Sequence, residues 1–92
     1  MHIDIDEVSI KIEFPCEYPI KVMGPDVDNF GENILEIIYR HAPDLRDENI
    51  NFRPSRNRNY LAVNVIIYAT GVKQLQALFD DLKASGRVSL VL

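Results

Sequence analysis

The sequence predicts an α+β domain in which one four-stranded antiparallel sheet carries two helices on a single face, in the order βαββαβ. Three observations predict it. Residues 60–69 alternate inward and outward side chains along the whole segment, the period of a strand with one buried face. Residues 30–41 and 75–82 instead repeat apolar side chains every three to four positions, the period of a helix. Between the helices, the polar run Ser55-Arg56-Asn57-Arg58-Asn59 separates a short apolar segment from the long one, as a hairpin turn does.

Taken in chain order, Ile3 and Ile5 alternate with acids, and Val8, Ile10, Ile12 and Phe14 alternate with Ser9, Lys11 and Glu13. Residues 1–13 are read as an extended arm or extra edge strand preceding a domain over 14–92. The first core strand runs over 18–23, with Tyr18, Ile20 and Val22 facing one way and Lys21 and Met23 the other. Gly24-Pro25 ends it, and Asp26 or Asp28 is expected to cap the first helix by accepting backbone N–H bonds. Phe30, Ile34, Ile37, Ile38 and His41 share one face of that helix, and Pro43 stops it.

Ile50 and Phe52 alternate with Asn51 and Arg53 in a short strand ended by Pro54. The central strand follows, with Leu61, Val63, Val65 and Ile67 inward and Tyr60, Ala62, Asn64, Ile66 and Tyr68 outward. Thr70 is the expected N-cap of a second helix whose Leu75, Leu78, Phe79 and Leu82 face the core, and Gly86 closes it. Val88, Leu90 and Leu92 supply the last strand. This order is that of a ferredoxin-like sandwich.

Composition narrows the function classes. Ninety-two residues with 47% hydrophobic and 26% charged side chains suit one globular domain. The net charge of -4 opposes binding to phosphate backbones and anionic membranes. It is unevenly spread: residues 1–50 hold twelve Asp and Glu against four Lys and Arg, and residues 51–92 hold two against six. One cysteine, Cys16, forms no disulfide within the chain and no paired-cysteine metal site. The acidic N-terminal stretch has no apolar run of the targeting kind, which predicts a cytoplasmic protein without a membrane segment.

In a βαββαβ sandwich the sheet face opposite the helices decides what the molecule touches. Alternation places Lys21, Met23, Arg53, Tyr60, Asn64, Ile66, Tyr68 and Val91 there, a mixture apolar enough to serve self-association or a partner. Other chemistries are poorly supported. RNA recognition wants adjacent stacking aromatics, whereas Tyr60 and Tyr68 stand eight residues apart with no glycine-bearing aromatic motif over 59–68. Acylphosphate hydrolysis wants a basic glycine-rich cradle after the first strand, and Met23-Gly24-Pro25-Asp26-Val27-Asp28 is acidic. A small enzyme using the 53–60 turn would need a cleft joining Ser55 or Tyr60 to His41. His41 by itself suits a helix C-terminus, and Arg53, Arg56 and Arg58 make a basic hairpin end.

Certain strings then carry a resemblance: Phe14-Pro15-Cys16-Glu17-Tyr18-Pro19-Ile20-Lys21-Val22-Met23-Gly24, Arg40-His41-Ala42-Pro43, Arg53-Pro54-Ser55, Asn59-Tyr60-Leu61 and the ending over 88–92. Together they closely resemble the YbeD-like family of small uncharacterised bacterial proteins, from about Phe14 to the end. The resemblance implies a βαββαβ fold similar to ACT-type regulatory domains, which bind amino acids where subunits meet, with no established enzymatic activity; no cofactor is expected. Family members are often encoded near lipoate-attachment genes, which implies a link to lipoate metabolism. The family's usual Ser-Lys-Gly-Asn-Tyr turn is changed here, Arg58 standing in place of the glycine, and the arm before Phe14 lies outside the resemblance. The expected function is a regulatory or interaction module that forms a homo-oligomer through the open sheet face and binds a protein partner or small metabolite. Motif matching gives Lys21, Gly24, His41, Arg53, Ser55, Asn59 and Tyr60 as candidate contact residues.

Overall fold

The computed structural model describes residues 13–92. Strand β1 spans Cys16–Pro25, helix α1 Phe30–His41, β2 Ile50–Pro54, β3 Tyr60–Ala69, helix α2 Val72–Ala84 and β4 Leu90–Val91, with a single 3₁₀ turn, Asp47–Asn49, ahead of β2. The sheet is antiparallel in the order β2-β3-β1-β4. This is the expected ferredoxin-like βαββαβ arrangement. The arm over 1–13 and the strand over 8–14 lie outside the described residues except at Glu13 and Phe14, where Phe14 sits in a bend, half-buried against the core.

Alternation explains the core. β3 pairs with β1 along its full length, so Val63 opposes Val22 and Val65 opposes Ile20, and all four are buried. Above them lie Phe30, Ile34, Ile37 and Ile38 of α1 and Leu75, Leu78 and Leu82 of α2. Both helices therefore bury one stripe against the same sheet face, burial being worth roughly 1.5–3 kcal/mol for each large apolar side chain.

Neither helix begins as the sequence suggests. No side chain caps α1; Asn29 occupies the cap position, and Asp28 and Asn29 both take left-handed backbone, with φ of 49 and 58. The reason lies some sixty residues away, where the Arg87 guanidinium donates to the carbonyls of Val27 and Asp28 while lying 5.7 Å over the Phe30 ring. That clamp shapes the turn in place of an aspartate cap. At α2 the cap position belongs to Gly71 and not Thr70. Gln74 in the first turn reaches back instead, accepting from the Thr70 N–H at 2.8 Å and donating to the His41 carbonyl at 2.7 Å. One side chain thus secures the start of α2 and the end of α1.

The last strand is shorter than expected and differs in phase. Pairing with β1 places Leu90 opposite Met23 and Val91 opposite buried Val22, so Val91 faces the helices and Leu90 the open side. Val88 and Val91 both pack against the core, three positions apart, which breaks strict alternation after the left-handed Gly86. Val91 is accordingly removed from the open face, and Leu90 takes its place.

Where β4 ends, the edge of β1 is blunted. Lys21 and Leu92 exchange both backbone hydrogen bonds, so Pro19, two residues earlier, turns its missing donor toward the side where no described strand follows.

Candidate open-face site

Cross-strand register assembles the open face row by row. Arg53, Ala62, Met23 and Leu90 form one row across the four strands; Asn51, Asn64 and Lys21 form the next, with Leu92 bonded beside Lys21. Ile66 and Pro19 stand opposite each other beyond, followed by Tyr68 and Glu17. Ile66 is 40% exposed, Tyr60 and Leu90 44%, Tyr68 51% and Leu92 66%. Large apolar side chains therefore run diagonally across the face from Tyr68 to Leu90, with Lys21 and Arg53 among them. A shallow depression of about 600 Å³ lies at its centre, over the Asn51–Asn64–Lys21 row.

The candidate contact residues divide between two ends of the molecule. Ser55, Asn59 and Tyr60 meet in the hairpin: the Ser55 N–H donates to the Tyr60 carbonyl at 2.8 Å, the Tyr60 N–H donates back to Ser55 Oγ at 3.1 Å, and the Asn59 carbonyl accepts from the Asp26 N–H at 2.9 Å. The Ser55 hydroxyl staples the turn. Arg53 and Lys21 lie on the open face, whereas Gly24 is buried on the core side beneath Phe30. His41 stands at the other end of β3, near Thr70, about 30 Å of strand from Tyr60. No cleft joins it to Ser55 or Tyr60. Tyr60 and Tyr68 are likewise roughly 26 Å apart along β3, too far to stack adjacent bases.

His41 belongs to a polar bridge between the helices that sequence reasoning did not find. Its Nε2 lies 2.9 Å from Asp81 Oδ2 on α2, and Arg40 donates to the same oxygen at 3.2 Å. The hydrogen bond from His41, followed by the charge of Arg40, holds the Asp81 carboxyl below its ordinary range against the opposing effect of desolvation. A carboxyl depressed in the folded state contributes stability that is complete above its unfolded value of about 3.9 and is lost as pH falls through the folded value. Asp81→Asn should therefore lower the melting temperature at neutral pH and flatten the acid limb of the stability curve below about pH 4. Identical acid limbs in the two proteins would exclude this bridge.

A family model described as a protein of unknown function, DUF493, matches residues 10–92. The chain belongs to that family. Relatives agree over nearly their whole length. A UPF0250 protein of Azotobacter vinelandii is 53% identical over 90 residues, covering 97% of this chain and 98% of its own, and one from Pseudomonas aeruginosa is 54% identical over 83 residues, 89% of each. Membership in this uncharacterised bacterial family agrees with the YbeD-like resemblance. The match also corrects its extent: similarity begins before Phe14 and takes in part of the acidic arm. The solution structure of HP0495 from H. pylori covers 100% of this chain and 97% of its own with a TM-score of 0.67, and at 17% identity it speaks for the DUF493 fold alone.

Two further features of this DUF493 chain bear on the site. Arg58, standing where the resemblance has glycine, takes left-handed backbone with φ of 62. Arg58→Gly should raise stability by up to about 1 kcal/mol, since relief of the left-handed penalty outweighs the added chain entropy; a lower melting temperature would contradict the strain. Among the described residues, no group of three or more His, Cys, Asp and Glu side chains could hold a metal ion, and no helix is long and apolar enough to cross a membrane.

Proposed function

We propose that this DUF493 protein is a regulatory or interaction module and not an enzyme, pairing with a second copy of itself through the open sheet face and holding a small metabolite where the subunits meet. The supporting observation is the run of Tyr68, Ile66, Met23 and Leu90 on one uncovered face of the described sheet, joined by Leu92 at its edge. Exposed apolar side chains gathered on one face, here on either side of the Asn51–Asn64–Lys21 row, are the kind of surface that marks contact sites. Lys21 and Arg53, set within the run, give such a contact orientation as well as area. Sedimentation velocity across micromolar concentrations tests the pairing. A dimer is expected, and a strict monomer that no small molecule alters would remove the reading. The lipoate connection rests on the family resemblance alone, and unchanged protein lipoylation in a strain lacking this protein would remove it.

A further inference from the structure

The open-face depression has a defined chemistry. Asn51, Asn64 and Lys21 stand directly opposite one another on β2, β3 and β1, so the stems of two amides and one ammonium leave the sheet in a line, with Cβ atoms about 5 Å apart. The ion pairs of the described residues use Arg40, His41 and Arg46, and Lys21 is in none of them. Half-buried Asn64 has no side-chain hydrogen bond among the described residues, nor has Asn51. The row crosses a hollow of about 600 Å³, a size that suits a small organic ligand. Pro19, Ile66 and Leu92 give it an apolar side, and Glu48 stands on its rim beside β2.

From this arrangement we infer that the hollow binds a small monocarboxylate with an apolar body. The deciding feature is the surplus of donors. The Lys21 ammonium offers only donors, and each asparagine can turn its amide N–H groups toward the same ligand while its Oδ1 stays free to accept, so the donors outnumber the acceptors and favour an anionic group whose oxygens meet adjacent strands at once. A carboxylate is such a group. A phosphate fits worse, because no arginine lines the hollow and the chain carries a net charge of -4. The ligand body then lies over Ile66, Pro19 and Leu92, where removing their apolar surface from water adds to the binding. Glu48, which faces Arg46 at 3.8 Å on the exposed rim, separates two sources of the same carboxylate: an amino acid would bring its ammonium to that carboxylate, and a simple aliphatic acid would leave it to Arg46 and solvent.

This inference shares with the proposed function the open face as working surface, but it does not require a second copy over that face. The test is a titration of the full-length ¹⁵N-labelled protein with hexanoate, leucine and hexylamine, followed by amide shifts and paired with sedimentation of the same samples. Saturable shifts at Lys21, Asn64 and Ile66 are expected with hexanoate and not with hexylamine. Lys21→Met should weaken hexanoate binding roughly tenfold, the scale of a lost charged hydrogen bond, and Lys21→Arg should retain most of it. Tighter binding of leucine than of hexanoate would identify the amino-acid source, and the reverse order the simple acid. No saturable shift with either carboxylate, an equal response to hexylamine, or binding untouched by Lys21→Met would overturn the site. A monomer that binds hexanoate would keep the site and reject the pairing, while a dimer that ignores both carboxylates would do the opposite.

Discussion

Phe30→Ala should lower the free energy of unfolding by about 3–5 kcal/mol, a large share of the 5–15 kcal/mol typical of a small domain. The ring is fully buried at the first turn of α1. Its removal loses apolar burial and leaves a cavity that packed neighbours cannot fill completely. It also removes the surface over which Arg87 lies while gripping the carbonyls of Val27 and Asp28. Two left-handed residues, Asp28 and Asn29, depend on that grip, so the variant should loosen the 26–29 turn as well as the core. Urea unfolding followed by circular dichroism reads the loss, and a change below about 1 kcal/mol would contradict the packing described.

Gly24→Ala should be nearly as damaging, costing about 1–3 kcal/mol or more by overpacking. A Cβ at this position would fall 2.6 Å from Phe30 Cε1 and closer still to the Arg87 carbonyl oxygen. One obstacle is a buried ring and the other is backbone, so neither can swing aside as a flexible side chain would. Gly24, matched by motif as a contact residue, is here a packing residue that lets β1, α1 and the Arg87 segment approach one another. The two substitutions should not add. Removing the ring relieves one clash and leaves the carbonyl, so the double variant should lose less than the sum of the singles. Strict additivity would mean that Gly24 and Phe30 do not press on each other.

These two residues also show what the sequence can and cannot convey. Phe30 announces itself by helical spacing with Ile34, Ile37 and Ile38, and the Leu61, Val63, Val65, Ile67 series announces β3, because burial on one face imposes a period that any reader can count. The clamp of Arg87 on a turn some sixty positions earlier leaves no local trace, so local sequence points to an aspartate cap for α1. The bridge from His41 to Asp81 is hidden for the same reason, as is the use of Gln74 to hold both helices. Val91 departs from its expected face because alternation over 88–92 assumes an unbroken strand, and the chain between Gly86 and Leu90 is not one. The open-face residues of β1 and β3 were legible from period alone. Their assembly with Asn51 and Leu92 into rows needed the register between strands, which side-chain periodicity within one strand does not encode.

Ile66, 40% exposed, stands near the middle of the open sheet face, on the side turned away from the helices. Sedimentation velocity of the wild-type protein beside Ile66→Glu, with both melting curves recorded, tests pairing through that face most directly. A wild-type dimer and a monomeric variant of similar melting temperature are predicted. Two monomers, or two dimers of equal strength, would show that this face is not where the molecule meets a second copy of itself.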